Sequence, residues 1–540
     1  MGPPPAGARG RVPEIIRRRL APFDARSDLW SWLATAFVVV VAGVLRFANL
    51  AHPAGKIFDE TYYAKDAYGL LSKGVEWNYK DNSPSYVVHP PLGKWIIAIG
   101  EWAFGYQDAD GHVKAAGHLV TTAPEFGWRF SAAVVGTLSV LLMVRIARRM
   151  FGSTILGCAA GLLLALDGFH LVLSRTGLLD AFLMFFVLAT FGALVIDRDA
   201  RRRRWLRAME DGLDPSRRGR AGRLTFTWRG GVPWWRLAAA VLFGCACSVK
   251  WSALFFLPAL LLLIAWWEVG ARRSAGALHP WRDAFLDEIG WLVLFVVVAF
   301  VVYLASWTGW FVTDDGYFRH WLADNGQHET RILGALRNLL HYHAEAFNFH
   351  SGLEAKHTYQ SWPWQWLLLG RPVAFYWSGT GSCGADSCAS EVLLLGTPVL
   401  WWSFIPALLG TLWVGIARRD WRAAAILLMV LFGLAPWTYY AVHDHRTMFS
   451  FYVAPALPFL VLAVVYLLGA IMSAARAPTG GISSREIERV ADRRMIGAVA
   501  AGAYVVLVAL CFAYFYPVFV GSLTTWADWH ARMWLGSRWI

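Results

Sequence analysis

Eleven apolar stretches of about twenty residues punctuate this chain, and they leave few folds open. A helix needs roughly 20 mostly apolar residues to cross the hydrocarbon core of a bilayer. Inside lipid every backbone polar group must be bonded within the segment or within a closed barrel. The stretches fall near 33–50, 128–147, 154–173, 178–196, 236–249, 251–267, 289–306, 393–416, 423–440, 451–472 and 495–516. They read as the spans of an all-α polytopic membrane protein. Segment 236–249 is short, and 154–196 and 236–267 are closely spaced pairs. Composition agrees. Charged residues make up 16% of the chain, whereas a soluble globule carries roughly a quarter. The 31 Trp, 33 Phe and 18 Tyr exclude disorder. Six Arg precede the first apolar run and no small-residue cleavage site follows it, so the run reads as an uncleaved anchor.

Cytoplasmic loops of membrane proteins are enriched in Lys and Arg. Eleven spans with a cytoplasmic N-terminus place six segments inside: roughly 1–32, 145–153, 197–236, 268–288, 417–423 and 473–494. These hold Arg17-Arg18-Arg19, Arg148-Arg149, Arg201 to Arg204, Arg272-Arg273, Arg418-Arg419 and Arg493-Arg494. They carry 32 of the 50 Lys+Arg but 16 of the 37 Asp+Glu, and none of the eight Lys. The formal charge of +13 is therefore mainly an orientation signal, and no nucleic-acid partner is expected. The Arg-rich 197–236 reads as a topogenic loop in contact with membrane lipids. The chain divides into a basic N-terminus (1–32), a transmembrane module (33–306) with an outer loop at 51–127, a second outer loop (307–392), a second module (393–516) and an interfacial tail (517–540). The C-terminus lies outside.

Long ordered loops are usually functional, and both outer loops are rich in aromatic and polar groups. Arg331–His350 has apolar residues at helical spacing and reads as an interfacial helix, as does Trp526–Trp539. Asp59-Glu60 lies just beyond the first span. It is either a solvated pair or a partly desolvated general base. His89-Pro90-Pro91-Leu92-Gly93-Lys94 puts Lys94 at the start of an apolar helix, where it meets a phosphate or snorkels. Arg129, Arg175, Asp180 and Lys250 sit at span ends on the outer side. Charge there is expensive and functional by default, and Arg holds phosphate bidentately. Pairing of Arg175 with Asp180 is the bland alternative. Trp364 and Trp366 suit sugar stacking or an interfacial belt. His443, Asp444 and His445 admit a metal, and Arg446 a headgroup contact. Cys383 and Cys388 suit a disulfide in an oxidising compartment. Cys158, Cys245, Cys247 and Cys511 fall in spans.

Taken together these residues resemble the protein O-mannosyltransferases, the actinobacterial members in particular. The matching positions are Asp59-Glu60, His89 to Lys94, Trp128-Arg129-Phe130, Ser174-Arg175 with Leu178-Leu179-Asp180, Lys250-Trp251, His357, Trp364-Gln365-Trp366 with Arg371-Pro372, and Arg446 with Phe449, Tyr452 and Pro455 to Pro458. The resemblance implies a C-type glycosyltransferase fold and inverting transfer of mannose. The donor is a polyprenyl-phosphate mannose, and the acceptor a Ser or Thr hydroxyl of an exported protein. It implies Asp59 as base, with Glu60 positioning the acceptor or orienting Asp59. Arg129, Lys250, Lys94, Arg175 and Arg446 are expected at the donor phosphate. His89, Tyr62, Asp180, His357, Trp364 and Trp366 are expected at the sugar or acceptor. No metal or cofactor is expected beyond the lipid-linked substrate, and the protein export channel is an expected neighbour. The alternatives are another lipid-phosphate-sugar transferase acting on a cell-wall glycan or lipid, and a secondary transporter.

Overall fold

The computed structural model describes residues 12–21, 28–108, 110–119, 124–216, 231–472 and 484–540, with the backbone alone for 484–490. The first apolar run folds as Leu29–Phe47 (α1), capped by Asp28, whose carboxylate accepts from the Ser31 N–H. Two shorter helices follow, Glu60–Lys73 (α2) and Leu92–Phe104 (α3). Pro124–Phe151 (α4), Thr154–Ala165 (α5), Gly168–Leu173 (α6) and Leu179–Glu210 (α7) come next. Then come Trp234–Cys247 (α8), Leu257–Ala275 (α9) and Pro280–Ser306 (α10). The second long segment contains Leu333–Ser351 (α11) and the strands Val373–Ser378 (β1) and Cys388–Leu394 (β2). Phe404–Arg418 (α12), Trp421–His443 (α13), Leu457–Met472 (α14) and Ser484–Val520 (α15) follow, then the strand Thr524–Thr525 (β3).

Among the described residues nine helices are long and apolar enough to cross a membrane, while α5 and α8 are shorter. The expected third span, 154–173, is broken at Asp167. That carboxylate is fully buried and needs donors. It accepts from the His170 N–H at the start of α6, from the Thr397 N–H and from Trp401 Nε1. The expected span 393–416 also starts differently: residues to Leu394 belong to β2, and the helical stretch begins at Pro398. The tail 526–539 is not one interfacial helix. It folds as Trp526–His530 and a 3₁₀ turn at Gly536–Arg538. Trp529 is buried and donates to the Glu391 carboxylate of β2 at 2.6 Å.

α7 and the stretch Ser450–Met472 that ends in α14 form the centre of the bundle, 78% and 72% of their most apolar parts being buried, against 17% for α10. Both long segments pack together at one end, the loop end. There the Tyr342 hydroxyl of α11 donates to the Val87 carbonyl and accepts its N–H. α11 leaves Leu336, Leu340 and Phe347 exposed, as an interfacial helix should. β1, β2 and β3 form an antiparallel sheet in that order.

At the opposite end the described part of 197–236, residues 197–216 and 231–236, is mostly helical where a lipid-contacting loop was expected. α7 continues as a helix to Glu210, which turns Arg201 inward. Arg201, Arg236 and Arg272 are buried against Glu268 and Glu288, and Asp197 and Asp287 complete the network. Residues 217–230 and 473–483, which belong to two of the expected basic segments, lie outside the described residues.

Candidate active site

The two carboxylates after α1 diverge because neighbouring residues at a helix start point about 100° apart. Glu60 is fully buried. Its Oε1 accepts from Arg129 Nε and the Gly177 N–H, both at 2.9 Å. Its Oε2 accepts from Arg129 Nη2 at 2.9 Å and the Ile57 N–H at 3.0 Å. Arg129 also donates to the carbonyls of Leu50, Pro53 and Gly55. All five of its N–H groups are engaged. This corrects the expectation that Arg129 meets a phosphate, since it has no N–H left for one, and of the two roles expected of Glu60 it leaves the orienting of Asp59: Glu60 is turned into the protein, where it holds α4 against the loop before α2.

Two more expected phosphate contacts are similarly engaged. Arg175 donates from Nη1 to the carbonyls of Leu45, Arg46 and Ala48 and from Nη2 to that of Asn49. It closes the end of α1, and it does not pair with Asp180. Lys94 is buried in an ion pair with Glu76 and lies 3.2 Å from the His89 carbonyl.

Asp59 is different. It is half-buried, and its carboxylate does not cap α2. Burial pushes its pKa up to about 6, with Lys250 opposing and Asp180 adding to the rise. Lys250 and Asp180 form a buried pair at 2.7 Å, brought together from the end of α8 and the start of α7. One turn along α2 is Tyr63, buried and within electrostatic reach of Asp59 and Asp180. Tyr62, the expected contact, is 62% exposed on another face. The spacing of four residues from Asp59 to Tyr63 puts the two on one face of α2.

Arg446 approaches from the C-terminal half. Its Nε donates to the His350 carbonyl at 2.7 Å, and its guanidinium lies 5.5 Å from the Tyr452 ring centre and 5.7 Å from that of Trp437. The His350 ring lies 5.2 Å from that of His89. Burial first, then Lys250 and His350, holds the His89 pKa well below its ordinary value, so the ring is neutral.

Trp366 is 1% exposed and donates from Nε1 to Ser361 Oγ, so it is a packing residue and not a sugar platform. Trp364 is exposed and stacks on Trp362. His357 is exposed, its ring 5.0 Å from that of Phe449. Phe58 stacks on Phe375 of β1 at 4.5 Å. Cys383 and Cys388 are joined in the β1–β2 turn. His443 packs on Tyr439. Among the described residues the group with metal-type ligands is instead Asp108, Asp110 and His112, in a hairpin turn.

This geometry can be set beside known proteins. Residues 36–210 match the model of the dolichyl-phosphate-mannose-protein mannosyltransferases, and residues 335–539 match that of the C-terminal four-transmembrane region of protein-O-mannosyltransferase. A Mycolicibacterium smegmatis polyprenol-phosphate-mannose–protein mannosyltransferase is 38% identical over 94% of this chain and 92% of its own. The chain belongs to the protein O-mannosyltransferase family. A Corynebacterium glutamicum relative with the same description is 31% identical over 99% of each chain. In structure, this mannosyltransferase-family chain is similar to the Saccharomyces cerevisiae protein O-mannosyltransferase Pmt1-Pmt2 complex bound to the sugar donor. The TM-score is 0.68 at 15% identity, covering 97% of this chain and 94% of that one. The all-α polytopic class and the C-type glycosyltransferase fold hold.

Proposed function

We propose that this protein transfers mannose, with inversion, from a polyprenyl-phosphate mannose to Ser or Thr hydroxyls of exported polypeptides. In this reading the loop end faces outside, because the basic segments collect at the other end. The acceptor oxygen attacks the anomeric carbon as the bond from that carbon to the phosphate oxygen breaks. The hydroxyl proton passes to Asp59, and the lipid phosphate leaves with the bonding pair. A phosphate needs no strong general acid. Lys250 and Arg446 offset its growing charge from fixed positions, which is where electrostatic catalysis gains most. In this reading His89 exchanges hydrogen bonds with the sugar, and His357 and Trp364 serve the acceptor. The lipid-linked sugar is a substrate, and no step is routed through a metal or cofactor.

One observation carries this reading. Asp59 is a half-open carboxylate with a raised pKa beside the Lys250–Asp180 pair, while its neighbour Glu60 is fully bonded. The test is transfer by purified Asp59→Asn, using lipid-linked mannose and a Thr-rich peptide with mass spectrometry of the product. We expect turnover to fall by about 10²–10⁴-fold with the thermal midpoint unchanged. Near-normal turnover would sink the assignment.

A further inference from the structure

The loop that ends at Asp59 is held from both halves of the chain. Arg129 and Arg175 take its carbonyls from the N-terminal half. From the C-terminal half comes the carbonyl of Gly521, which lies 2.7 Å from His52 Nε2. Among the described residues no other hydrogen bond joins residues 48–59 to residues 307–540. A carbonyl cannot donate, so His52 donates from Nε2.

The local geometry is built around that one oxygen. Gly521 follows α15 at φ 72°, the left-handed conformation in which helices commonly stop. The Ser522 N–H returns to the Pro517 carbonyl at 2.9 Å. A Cβ on Gly521 would stand 3.1 Å from Val392 Cγ2, 3.2 Å from Pro53 Cγ and 3.4 Å from His52 Nε2. Only bare backbone lets the Asp59 loop and β2 close on the end of α15 together. The second lone pair of the Gly521 oxygen is taken by Ser390 Oγ of β2, also at 2.7 Å.

The groups around Asp59 likewise come from both halves. Lys250 and Asp180 belong to the N-terminal half, Arg446 and Tyr452 to the C-terminal one. Phe58, just before Asp59, meets the C-terminal half through ring contacts with Phe375 and Phe451. Ring contacts tolerate sliding, whereas a hydrogen bond fixes distance and direction. We propose that His52 is a positioning residue for the transfer: its bond to the Gly521 carbonyl sets where Asp59 stands relative to Arg446. This role rests on the function proposed above. It acts through Asp59, so it belongs to the chemical step and not to substrate binding.

The two donors on one oxygen supply the test, because one belongs to the Asp59 loop and the other does not. Full-length His52→Leu, His52→Gln and Ser390→Ala proteins in lipid nanodiscs are compared with the unaltered one, using lipid-linked mannose and a Thr-rich peptide. Gln keeps an N–H donor at about the reach of Nε2, and Leu has none. We expect kcat per folded molecule to fall about 10-fold in His52→Leu, part of the roughly 10²-fold that a 1 Å misplacement costs. Donor and acceptor KM should hold, His52→Gln should restore most of the rate, and Ser390→Ala should keep it. Amide hydrogen exchange repeats the comparison without substrate: residues 54–63 should exchange about 3- to 10-fold faster in His52→Leu and at the original rate in Ser390→Ala. Unchanged kcat or unchanged exchange in His52→Leu overturns the proposal. So does an equal loss in Ser390→Ala, which would make the contact one of general stability, or a rise in KM at constant kcat. If the unaltered protein yields no mannosyl product, the functional reading fails, and exchange alone decides whether His52 holds the loop.

Discussion

Replacing Arg129 by Met distinguishes a brace from a donor-lipid contact. Arg129 and Glu60 are both fully buried and joined by two hydrogen bonds of 2.9 Å. Removing one partner of a buried pair costs about 3–5 kcal/mol, because the other charge is left uncompensated. Three carbonyls, those of Leu50, Pro53 and Gly55, also lose their donor. At about 1 kcal/mol each these losses partly overlap with the first, so about 3–5 kcal/mol is a floor. Asp59 adjoins Glu60, and a 1 Å misplacement of a reacting group costs about 10²-fold in rate. The assay pairs thermal midpoints in lipid nanodiscs with donor and acceptor kinetics for Arg129→Met, Glu60→Gln and the double variant. Each single variant should lose stability and about 10²-fold in kcat. The double should be less destabilised than the sum, by about 0.5–3 kcal/mol, since both changes remove the same pair. A refutation is specific. If Arg129→Met keeps its midpoint and kcat and only the donor KM rises, Arg129 contacts the phosphate and the bracing argument is wrong.

Three further outcomes follow from the same geometry. Asp59 must be ionised to take a proton, and its pKa is raised to about 6, so kcat should fall as pH drops through about 6; Lys250→Met, which removes the opposing charge, should move that acid limb upward, and a limb that stays near 4 would contradict the buried site. Lys56, three residues before Asp59, donates to the Gln107 carbonyl and lies 4.6 Å from the Tyr106 ring centre and 5.0 Å from that of Trp128. Lys56→Met should lower kcat with little change in donor KM, and Lys56→Arg should restore part of it; equal kinetics in all three proteins would remove Lys56 from the loop's anchoring. At the far end, Arg236 is buried with bonds to Asp197, Glu268 and Glu288. Arg236→Met should cost about 3–5 kcal/mol of stability while kcat per folded molecule stays the same, checked by active-site titration and thermal unfolding.

The helices were legible because a span is a matter of apolar length. Their breaks were not, because the causes lie far away in sequence. Asp167 ends α5 only because Thr397 and Trp401, some 230 residues on, supply donors to it. The end of β2, Leu393-Leu394, falls inside the expected span 393–416 because the strand is buried there, and a strand covered on both faces has the same unbroken apolar pattern as a buried helix. Asp59, Asp180 and Lys250 could be picked from their places at span ends. The partners of the arginines could not, because a sequence displays its charges and hides the carbonyls that absorb them.

Those carbonyls explain why so much positive charge surrounds one carboxylate. Between α1 and α2 the chain leaves helical geometry at the edge of the bundle, where water cannot reach every backbone oxygen and each must find a donor. Arg175 reaches the carbonyls of Leu45, Arg46, Ala48 and Asn49, and Arg129 those of Leu50, Pro53 and Gly55. Two guanidinium groups, each with five donors, thus satisfy seven carbonyls in eleven residues of chain. An irregular loop can then stand beside the membrane-spanning helices with Asp59 at its end. The same arrangement keeps these cations from stabilising the Asp59 carboxylate, since Glu60 takes the carboxylate-facing side of Arg129. The cation that acts on Asp59 is Lys250, and Asp180 shares it. Burial therefore wins over attraction, and the carboxylate stays basic enough to take a proton.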